Sequence, residues 1–199
     1  RRLAGWCLMP GPAFLRGETV SCHPWEEEDV DFFQEHRNRR QIRRPLTDVD
    51  PRNRTQVEEM FEERLYQDDG LVFLVCTGPE EAMRTGDADA LTRVGEVSIP
   101  WVNQPHASGM LMYWADPAHQ GEGYIPEATA LVLDHAFGER RLNKVWAMVI
   151  EPNEASQAVL EKLGFHHEGR YRKETWYEGE YVDSHRYAML ADDWLDREE

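Results

Sequence analysis

The chain has 199 residues, the length of one ordinary globular domain that can bury a sizeable core. It carries 38 acidic residues against 22 basic ones, a net charge of -16, which disfavours nucleic acid as a partner because phosphates need a basic surface. No apolar run approaches the roughly 18 residues of a membrane helix. Cys7, Cys22 and Cys76 lack paired spacing, so the sequence predicts neither a disulfide framework nor a metal site.

The acidic excess is accompanied by a shortage of lysine. Only Lys144, Lys162 and Lys173 are lysines, and every other basic residue is arginine. Repulsion between like charges opposes folding of such a chain, and molar salt screens it because the Debye length falls to about 3 Å. The composition therefore predicts a cytoplasmic, halophilic protein whose stability rises with salt. An ordinary acidic protein is the alternative.

The first part of the chain is predicted to hold an arm, a strand and two helices. Residues 1–15 break at Pro10, Gly11 and Pro12 and lack the apolar region of a signal peptide, which predicts an N-terminal arm rather than a leader. Hydrophobic periodicity then predicts a strand at 18–25, a helix at 26–37, a basic loop at 38–53 and an amphipathic helix at 55–68. The basic loop reverses the sign of the chain's charge locally, although a solvated loop is the simpler interpretation.

The rest of the chain alternates strands and helices. The pattern predicts a buried strand at 71–76, an acidic loop at 78–92, strands at 94–102 and 108–115, a helix at 121–137, a strand at 144–150, a helix at 153–163, strands at 165–177 and 181–190, and an acidic tail at 195–199. The order β-α-α-β-β-β-α-β-α-β-β predicts one α/β domain over residues 16–194. Its central mixed, mostly antiparallel sheet carries helices on both faces.

A pair of glycines marks the predicted junction between strand 108–115 and the next helix. Gln120, Gly121 and Gly123 precede Pro126, which suits the first turn of a helix. Glycines let the backbone pass close to a ligand, and a helix start directs unpaired N–H groups at an anion. The junction therefore predicts a diphosphate site, although two glycines in a turn are also common for structural reasons alone. The lysine that a P-loop requires is absent.

Several short motifs occur in a particular order along the chain. They are YWADP at 113–117, QGEGY at 120–124, NEAS at 153–156 and EKLGF at 161–165, followed by the final hairpin. In this order they closely resemble the GNAT superfamily of N-acetyltransferases, and within it the RimJ/RimL type. The resemblance covers residues 16–194 and implies the GNAT fold, with acetyl-CoA as co-substrate.

The resemblance assigns a coenzyme site. The family's phosphate loop runs Arg/Gln-x-x-Gly-x-Gly/Ala, and the matching residues here are Gln120, Gly121, Glu122, Gly123, Tyr124 and, in the place where a small residue is usual, Ile125. The resemblance further implies that pantetheine pairs with the strand edge at Trp114, Ala115 and Asp116. Asn153, which is predicted to cap helix 153–163, is implied to reach the pantetheine too.

The catalytic residues are less well marked in the sequence. Many family members have a Tyr in the helix before the LGF motif, but Leu160 stands there in this chain. Ser156 is the nearest substitute, and by resemblance it contacts the coenzyme and protonates the departing thiolate. Glu174 and Glu96 are the candidate general bases. The resemblance would place a Glu at about Thr175, one position beyond Glu174.

The sequence thus predicts transfer of acetyl from acetyl-CoA to a primary amine by direct attack in a ternary complex. A protein N-terminal α-amine is the first acceptor to consider, because its pKa near 8 leaves about a tenth neutral at pH 7. A small-molecule amine, such as a polyamine or an antibiotic, is an alternative acceptor. A non-catalytic acyl-CoA-binding module is an alternative of a different class. A homodimer is a further expectation.

Overall fold

The computed structural model describes residues 10–65, 70–85 and 87–198. They form one eight-stranded sheet with the strand order β1-β2-β3-β4-β5-β6-β8-β7. The strands are Leu15–Arg16 (β1), Ser21–Pro24 (β2), Leu71–Thr77 (β3), Thr92–Asn103 (β4), Ser108–Ala115 (β5), Lys144–Ile150 (β6), His166–Tyr177 (β7) and Glu180–Leu190 (β8). All neighbouring pairs among these strands are antiparallel except β5 and β6, which are parallel. The predicted mixed, mostly antiparallel sheet is confirmed.

Helices cover both faces of this sheet, as predicted. They are Val30–Asn38 (α1), Arg40–Arg43 (α2), Arg54–Leu65 (α3), Glu80–Thr85 (α4), Tyr124–Asp134 (α5), Glu154–Lys162 (α6) and Ala191–Leu195 (α7). Within the described residues, no helix combines the length and the apolar composition that a membrane crossing requires.

Two apolar clusters lie on opposite faces of the sheet. Ala128 and Val132 of α5 belong to one cluster, together with Leu160 of α6. Phe33 of α1 and Val57 of α3 belong to the other. The strand β3 contributes side chains to both clusters because successive side chains of a strand point to opposite faces. This explains why β3 is apolar from Leu71 to Cys76.

Two segments that were predicted to be loops contain short helices. The basic loop 38–53 includes α2, whose Ile42 packs into the apolar cluster beside α1. The acidic loop 78–92 includes α4, in which Ala82 and Met83 are buried. Each helix is held by one or two buried side chains, too few to produce a periodic pattern in the sequence. Both loop predictions are therefore wrong in part.

Several predicted boundaries also move. The helix predicted at 121–137 begins at Tyr124 and continues beyond Asp134 as one π-helical turn, His135–Glu139. Residues 10–15 of the predicted arm pack on the sheet, since the Phe14 N–H donates to the Cys22 carbonyl at 2.8 Å. In the predicted tail, the Arg197 guanidinium donates to the Leu163 carbonyl. Residues 1–9, 66–69, 86 and 199 of the predicted elements lie outside the described residues.

Candidate active site

The strands β5 and β6 separate after a short parallel pairing. Residues 108–110 pair with residues 144–146, and beyond them the two strands diverge. The gap opens a cavity of about 690 Å³, lined on one side by residues 111–115 and on the other by residues 147–150. A divergence inside a sheet leaves backbone groups that no neighbouring strand satisfies. The cavity therefore suits an extended ligand with amide groups of its own.

The exposed edge of β5 follows from its pairing with β4. The Asp116 N–H donates to the Val94 carbonyl of β4 at 2.8 Å. Backbone groups alternate in direction along a strand, so those of Leu111, Tyr113 and Ala115 point away from β4 and toward the gap. These are the groups with which an amide-bearing chain would pair.

The turn after β5 is open above its glycines. Gly121 and Gly123 have φ of +84° and +86°, and no atom beyond the adjacent residues lies within 4 Å of the position that a Cβ would occupy on either of them. Such φ values are the left-handed region that favours glycine. Gly123 is also the N-cap of α5, so the unpaired N–H groups of the helix start face this open space. The Gln120 side chain donates to the Ala115 carbonyl at 3.4 Å and ties the turn to β5.

The other residues of the predicted loop divide between the cavity and the solvent. Tyr124 and Ile125 line the cavity, and Ile125 also packs into the apolar cluster under α5. Glu122 is exposed and does not line it. His119 and Lys162 line the cavity too, and Lys162 is the only Lys, Arg, Asp or Glu among its described lining residues. The positive charge of Lys162 is therefore not offset by a carboxylate within the described lining.

The start of α6 brings Asn153 and Ser156 to the same cavity. The Asn153 Oδ1 accepts the Ser156 N–H at 3.2 Å, so the predicted N-cap is confirmed. The Ser156 Oγ lies 2.7 Å from the Tyr113 Oη of β5. Burial raises the pKa of Tyr113 to about 12, against the smaller effect of its bond to Ser156. The phenol therefore stays protonated at neutral pH and can serve as a hydrogen-bond donor.

Trp114, Ala115 and Asp116 differ in their surroundings. Trp114 and Ala115 line the cavity, whereas Asp116 does not. The Asp116 carboxylate accepts the Ala118 N–H at 3.1 Å and also bonds His36 at 3.0 Å and Arg39 at 3.2 Å. Burial opposes ionisation, but these partners hold the pKa of Asp116 below its ordinary value. Asp116 thus anchors the end of β5 to α1.

The two predicted bases, Glu96 and Glu174, do not line the cavity. Glu96 is buried in β4, where its carboxylate accepts the Ser98 hydroxyl at 2.8 Å and the Trp114 Nε1–H at 3.3 Å. Glu174 is exposed on β7. Its neighbour Thr175 lines the cavity instead, because successive side chains of a strand point to opposite faces and Thr175 lies on the face of Ser184.

The cavity therefore has a neutral polar group where a carboxylate was expected. The Thr175 Oγ1 lies 2.9 Å from the Ser184 Oγ of β8, and both residues line the cavity. No Asp or Glu occurs among its described lining residues. Any proton that leaves a bound amine must pass to water, to a neutral side chain or to a carboxylate beyond the wall.

Sequence reasoning did not name the individual residues of one part of the lining. The segment from α2 onward contributes five residues: Gln41, Ile42, Pro45, Leu46 and Thr47. Apolar residues within the basic segment 38–53 are the feature of the sequence that could have identified these lining residues. Tyr113 was noticed only as part of a motif, because its partner Ser156 is 43 residues away in the sequence.

Comparisons with known proteins agree with this geometry. Residues 21–166 match the acetyltransferase (GNAT) domain family. YjcK of Bacillus subtilis, named a probable N-acetyltransferase, is 30% identical over 191 residues, which cover 90% of this chain and 98% of YjcK. The spermidine N-acetyltransferase of Vibrio cholerae in complex with CoA and spermine superposes with a TM-score of 0.80 at 22% identity, covering 90% and 99% of the two chains. A dodecameric structure of that enzyme gives a TM-score of 0.75 at 23% identity, covering 92% and 100%.

Proposed function

The chain belongs to the GNAT acetyltransferase family and is an acetyl-CoA-dependent acyltransferase, and we propose that its acceptor is the α-amine of a peptide or protein N-terminus. The observation that carries this choice is the absence of any carboxylate among the described residues that line the cavity. The motifs of the glycine turn and of α6 support assignment to the RimJ/RimL type.

The coenzyme would lie on the side of the cavity formed by β5, α5 and α6, here called the coenzyme side. The N–H groups of residues 121–125, next to the open positions above Gly121 and Gly123 and at the start of α5, suit a diphosphate. Lys162 adds a positive charge there. The backbone groups of Tyr113 and Ala115 suit the pantetheine amides, and Asn153 lies where its free amide hydrogens can reach them.

The reaction needs two proton transfers besides the acyl transfer itself. The amine nitrogen adds to the thioester carbonyl carbon, the carbon–sulfur bond breaks, the nitrogen loses a proton and the sulfur gains one. A backbone N–H on the gap edge of β5 can stabilise the oxyanion. Ser156 protonates the sulfur while the Tyr113 hydroxyl, 2.7 Å away, holds the Ser156 hydroxyl in position, and water then returns to Ser156 the proton that the nitrogen loses. The Ser156–Tyr113 pair would thus take the role of the Tyr that many family members have in α6, at the position where this chain has Leu160.

The acceptor would lie between residues 41–47 and the Thr175–Ser184 pair, here called the acceptor side. A free α-amine has a pKa of about 8, so a useful fraction is neutral without a strong base. Water held by the Thr175 and Ser184 hydroxyls can take the remaining proton. Glu96 and Glu174 would then act only through such water, since neither lines the cavity.

A polyamine is the second candidate acceptor. The relatives from Vibrio cholerae are spermidine acetyltransferases, and the net charge of -16 would attract a polycation. Several ammonium groups nevertheless need carboxylates close by, and a primary amine with a pKa near 10.4 needs an efficient base. The described lining offers no carboxylate, and the one imidazole in it, His119, lies on the coenzyme side.

An acceptor panel separates the two candidates. Purified protein with acetyl-CoA is offered hexapeptides with a free N-terminus, the same peptides with a formylated N-terminus, and spermidine. Release of the coenzyme thiol gives the rate, and mass spectrometry locates the acetyl group. We expect acetylation of the free peptides only. Turnover of spermidine with a higher kcat/KM than every peptide would overturn the choice of acceptor.

Two broader expectations remain proposals. The acidic, lysine-poor composition supports a cytoplasmic protein from a salt-accumulating organism. The melting temperature should then rise markedly between dilute buffer and molar KCl, because salt screens the repulsion between the acidic residues. A melting temperature that does not change with salt would remove this argument.

Self-association is supported by the dodecameric relative, and light scattering of the purified chain measures it directly.

A further inference from the structure

A second cleft adjoins the acceptor side of the cavity. Its volume is about 420 Å³, and three arginines of α2 and its C-terminal end, Arg40, Arg43 and Arg44, form one wall. The tip of the β7–β8 hairpin, residues 176–179, forms the other. Thr47 lines both the cleft and the main cavity, so the two spaces adjoin at this residue.

One carboxylate of the protein itself already occupies this cleft. The Glu178 carboxylate accepts a hydrogen bond from Arg40 at 2.9 Å and another from Arg44. Glu178 and Gly179 have φ of +49° and +103°, typical of a tight hairpin turn that carries the side chain out over α2. These arginines lower the pKa of Glu178, so it is ionised at neutral pH. The cleft thus recognises a carboxylate.

The cleft also contains positive charge that no ion pair among the described residues neutralises. Arg43 has no ion-pair partner among the described residues. The other acid of the cleft, Asp48, is held from outside by Arg37 at 3.0 Å and Arg52 at 3.1 Å. Arg40 and Arg44 therefore share the Glu178 carboxylate, and Arg43 is left over, in a chain whose net charge is -16. Arginine pairs well with carboxylates because two parallel N–H groups fit their two oxygens.

The position of the cleft fits a peptide bound by its N-terminus. Glu178 is three residues beyond Thr175 along the hairpin, which corresponds to about 10 Å in an extended strand. An acceptor peptide with its α-amine near Thr175 would reach the arginines with its second to fourth residues. Resting on the proposed α-amine acetylation, we propose that the cleft binds an acidic side chain at these positions of the acceptor and so selects acidic N-termini.

The test compares three hexapeptides that share the same first residue. Their second, third and fourth positions are all aspartate, all glutamine or all lysine. With the wild-type protein we expect kcat/KM to be highest for the aspartate peptide. In Arg43→Gln, which leaves the bonds of Glu178 in place, the ratio of kcat/KM for the aspartate peptide to that for the glutamine peptide should fall about 10-fold, mainly through KM.

Two further variants separate recognition from a structural role of the arginines. Arg54→Gln removes a guanidinium from the same basic stretch, but Arg54 pairs with Asp31 and Glu58 and lines neither space; the ratio should not change. Glu178→Gln removes the internal competitor and should lower KM for the aspartate peptide more than for the glutamine peptide. A merely structural ion pair would shift both peptides equally.

A titration makes the inference independent of turnover. Each aspartate and glutamine peptide is titrated by calorimetry into the CoA-loaded protein and into Arg43→Gln. Tighter binding of the aspartate peptide that is lost in Arg43→Gln supports the inference, even if no peptide is acetylated and the proposed acceptor fails. Equal binding of the two peptides by the wild-type protein overturns it, while acetylation of both would leave the α-amine proposal standing.

Discussion

On the coenzyme side of the cavity, the groups that face a ligand are mostly backbone N–H and carbonyl groups, a glycine turn and two helix starts. On the acceptor side they are side chains, and the surrounding structure is held by ion pairs between α1, α2 and the β7–β8 hairpin. The first side is almost free of charge, with Lys162 as the one charged residue in the described lining. The second side concentrates the arginines of an acidic chain.

The coenzyme side has the task of binding the coenzyme, which is common to the family, whereas the acceptor side has the task of binding the acceptor, which varies. Backbone groups bind a ligand whatever side chains surround them, so a site made of them tolerates sequence change. Side chains in a loop and a hairpin can change without disturbing the fold. The acceptor side should therefore respond to charge and pH, and the coenzyme side to changes of backbone conformation. Four predictions test this division, from the largest expected effect to the smallest.

Of the four changes, Asp48→Asn should have the largest effect, which is a loss of stability on the acceptor side. Asp48 and Arg37 are 9% and 5% exposed, and removing one partner of a buried pair costs about 3 kcal/mol of unfolding free energy. Burial opposes ionisation of Asp48, but Arg52 and Arg37 hold its pKa below 3.8. Its contribution is therefore complete above pH 3.8 and is lost as the pH falls through the lowered value. Urea unfolding at neutral and acid pH measures it.

The control for Asp48 is an exposed ion pair of similar geometry. Glu81 and Arg84 lie 2.6 Å apart and are 69% and 68% exposed. Glu81→Gln should cost less than about 1 kcal/mol at any pH. If Asp48→Asn cost no more than this at neutral pH, the acceptor side would not depend on its buried charges.

Gly123→Val should damage the coenzyme side without changing any charge. At a φ of +86° a β-branched residue is strained, and its side chain would enter the open space proposed for the diphosphate. We expect the Kd for CoA, measured by calorimetry, to rise at least about 100-fold. Gly138→Val is the matched control, because Gly138 also has open space around it but lies away from the cavity. Equal affinities of the two variants would contradict the assignment.

Ser156→Ala and Tyr113→Phe should slow the reaction while leaving coenzyme binding nearly intact. We expect turnover to fall about 10- to 100-fold in each, the lower end being typical for a thiol leaving group near pKa 8.5. If the hydroxyls act as a unit, the double variant should be little worse than either single one. The measurement is steady-state kinetics with a good peptide acceptor.

Tyr187→Phe is the control for this pair. The Tyr187 hydroxyl also bonds α6, through Gln157 and Glu161 at 3.3 Å each, but Tyr187 does not line the cavity. Its turnover should equal that of the wild type. Unchanged turnover in Ser156→Ala, with chemistry shown to be rate-limiting, would reduce Ser156 to a residue of the first helical turn.

Asn153→Ala should give the smallest effect, on two readouts at once. Loss of its N-cap bond should lower the free energy of unfolding by about 1 kcal/mol, and CoA should bind several-fold more weakly. Asn53→Ala is a close match, because Asn53 accepts the Gln56 N–H at 2.9 Å at the start of α3, away from the cavity. It should lose stability alone. If both variants bound CoA equally well, Asn153 would be a cap and nothing more.

The sequence predicted those parts of the site that depend on neighbouring residues. Gly121 and Gly123 mark left-handed backbone because other residues avoid it, and Asn153 caps a helix that begins at the next residue. The order of strands and helices followed from hydrophobic periodicity in the same way. Each of these features depends on residues that are close together in the sequence, so the residue type indicates the local structure directly.

Other parts depended on how distant segments pack. The Tyr113–Ser156 bond joins residues of β5 and α6, and the arginine cleft joins α2 to a hairpin more than 130 residues away. Thr175 rather than Glu174 lines the cavity because the pairing register of β7 with β8 places Thr175 beside Ser184, and alternate residues of a strand point to opposite faces. Local pattern determined the fold and the coenzyme turn; strand register and the packing of α2 against the hairpin decided which side chains meet an acceptor.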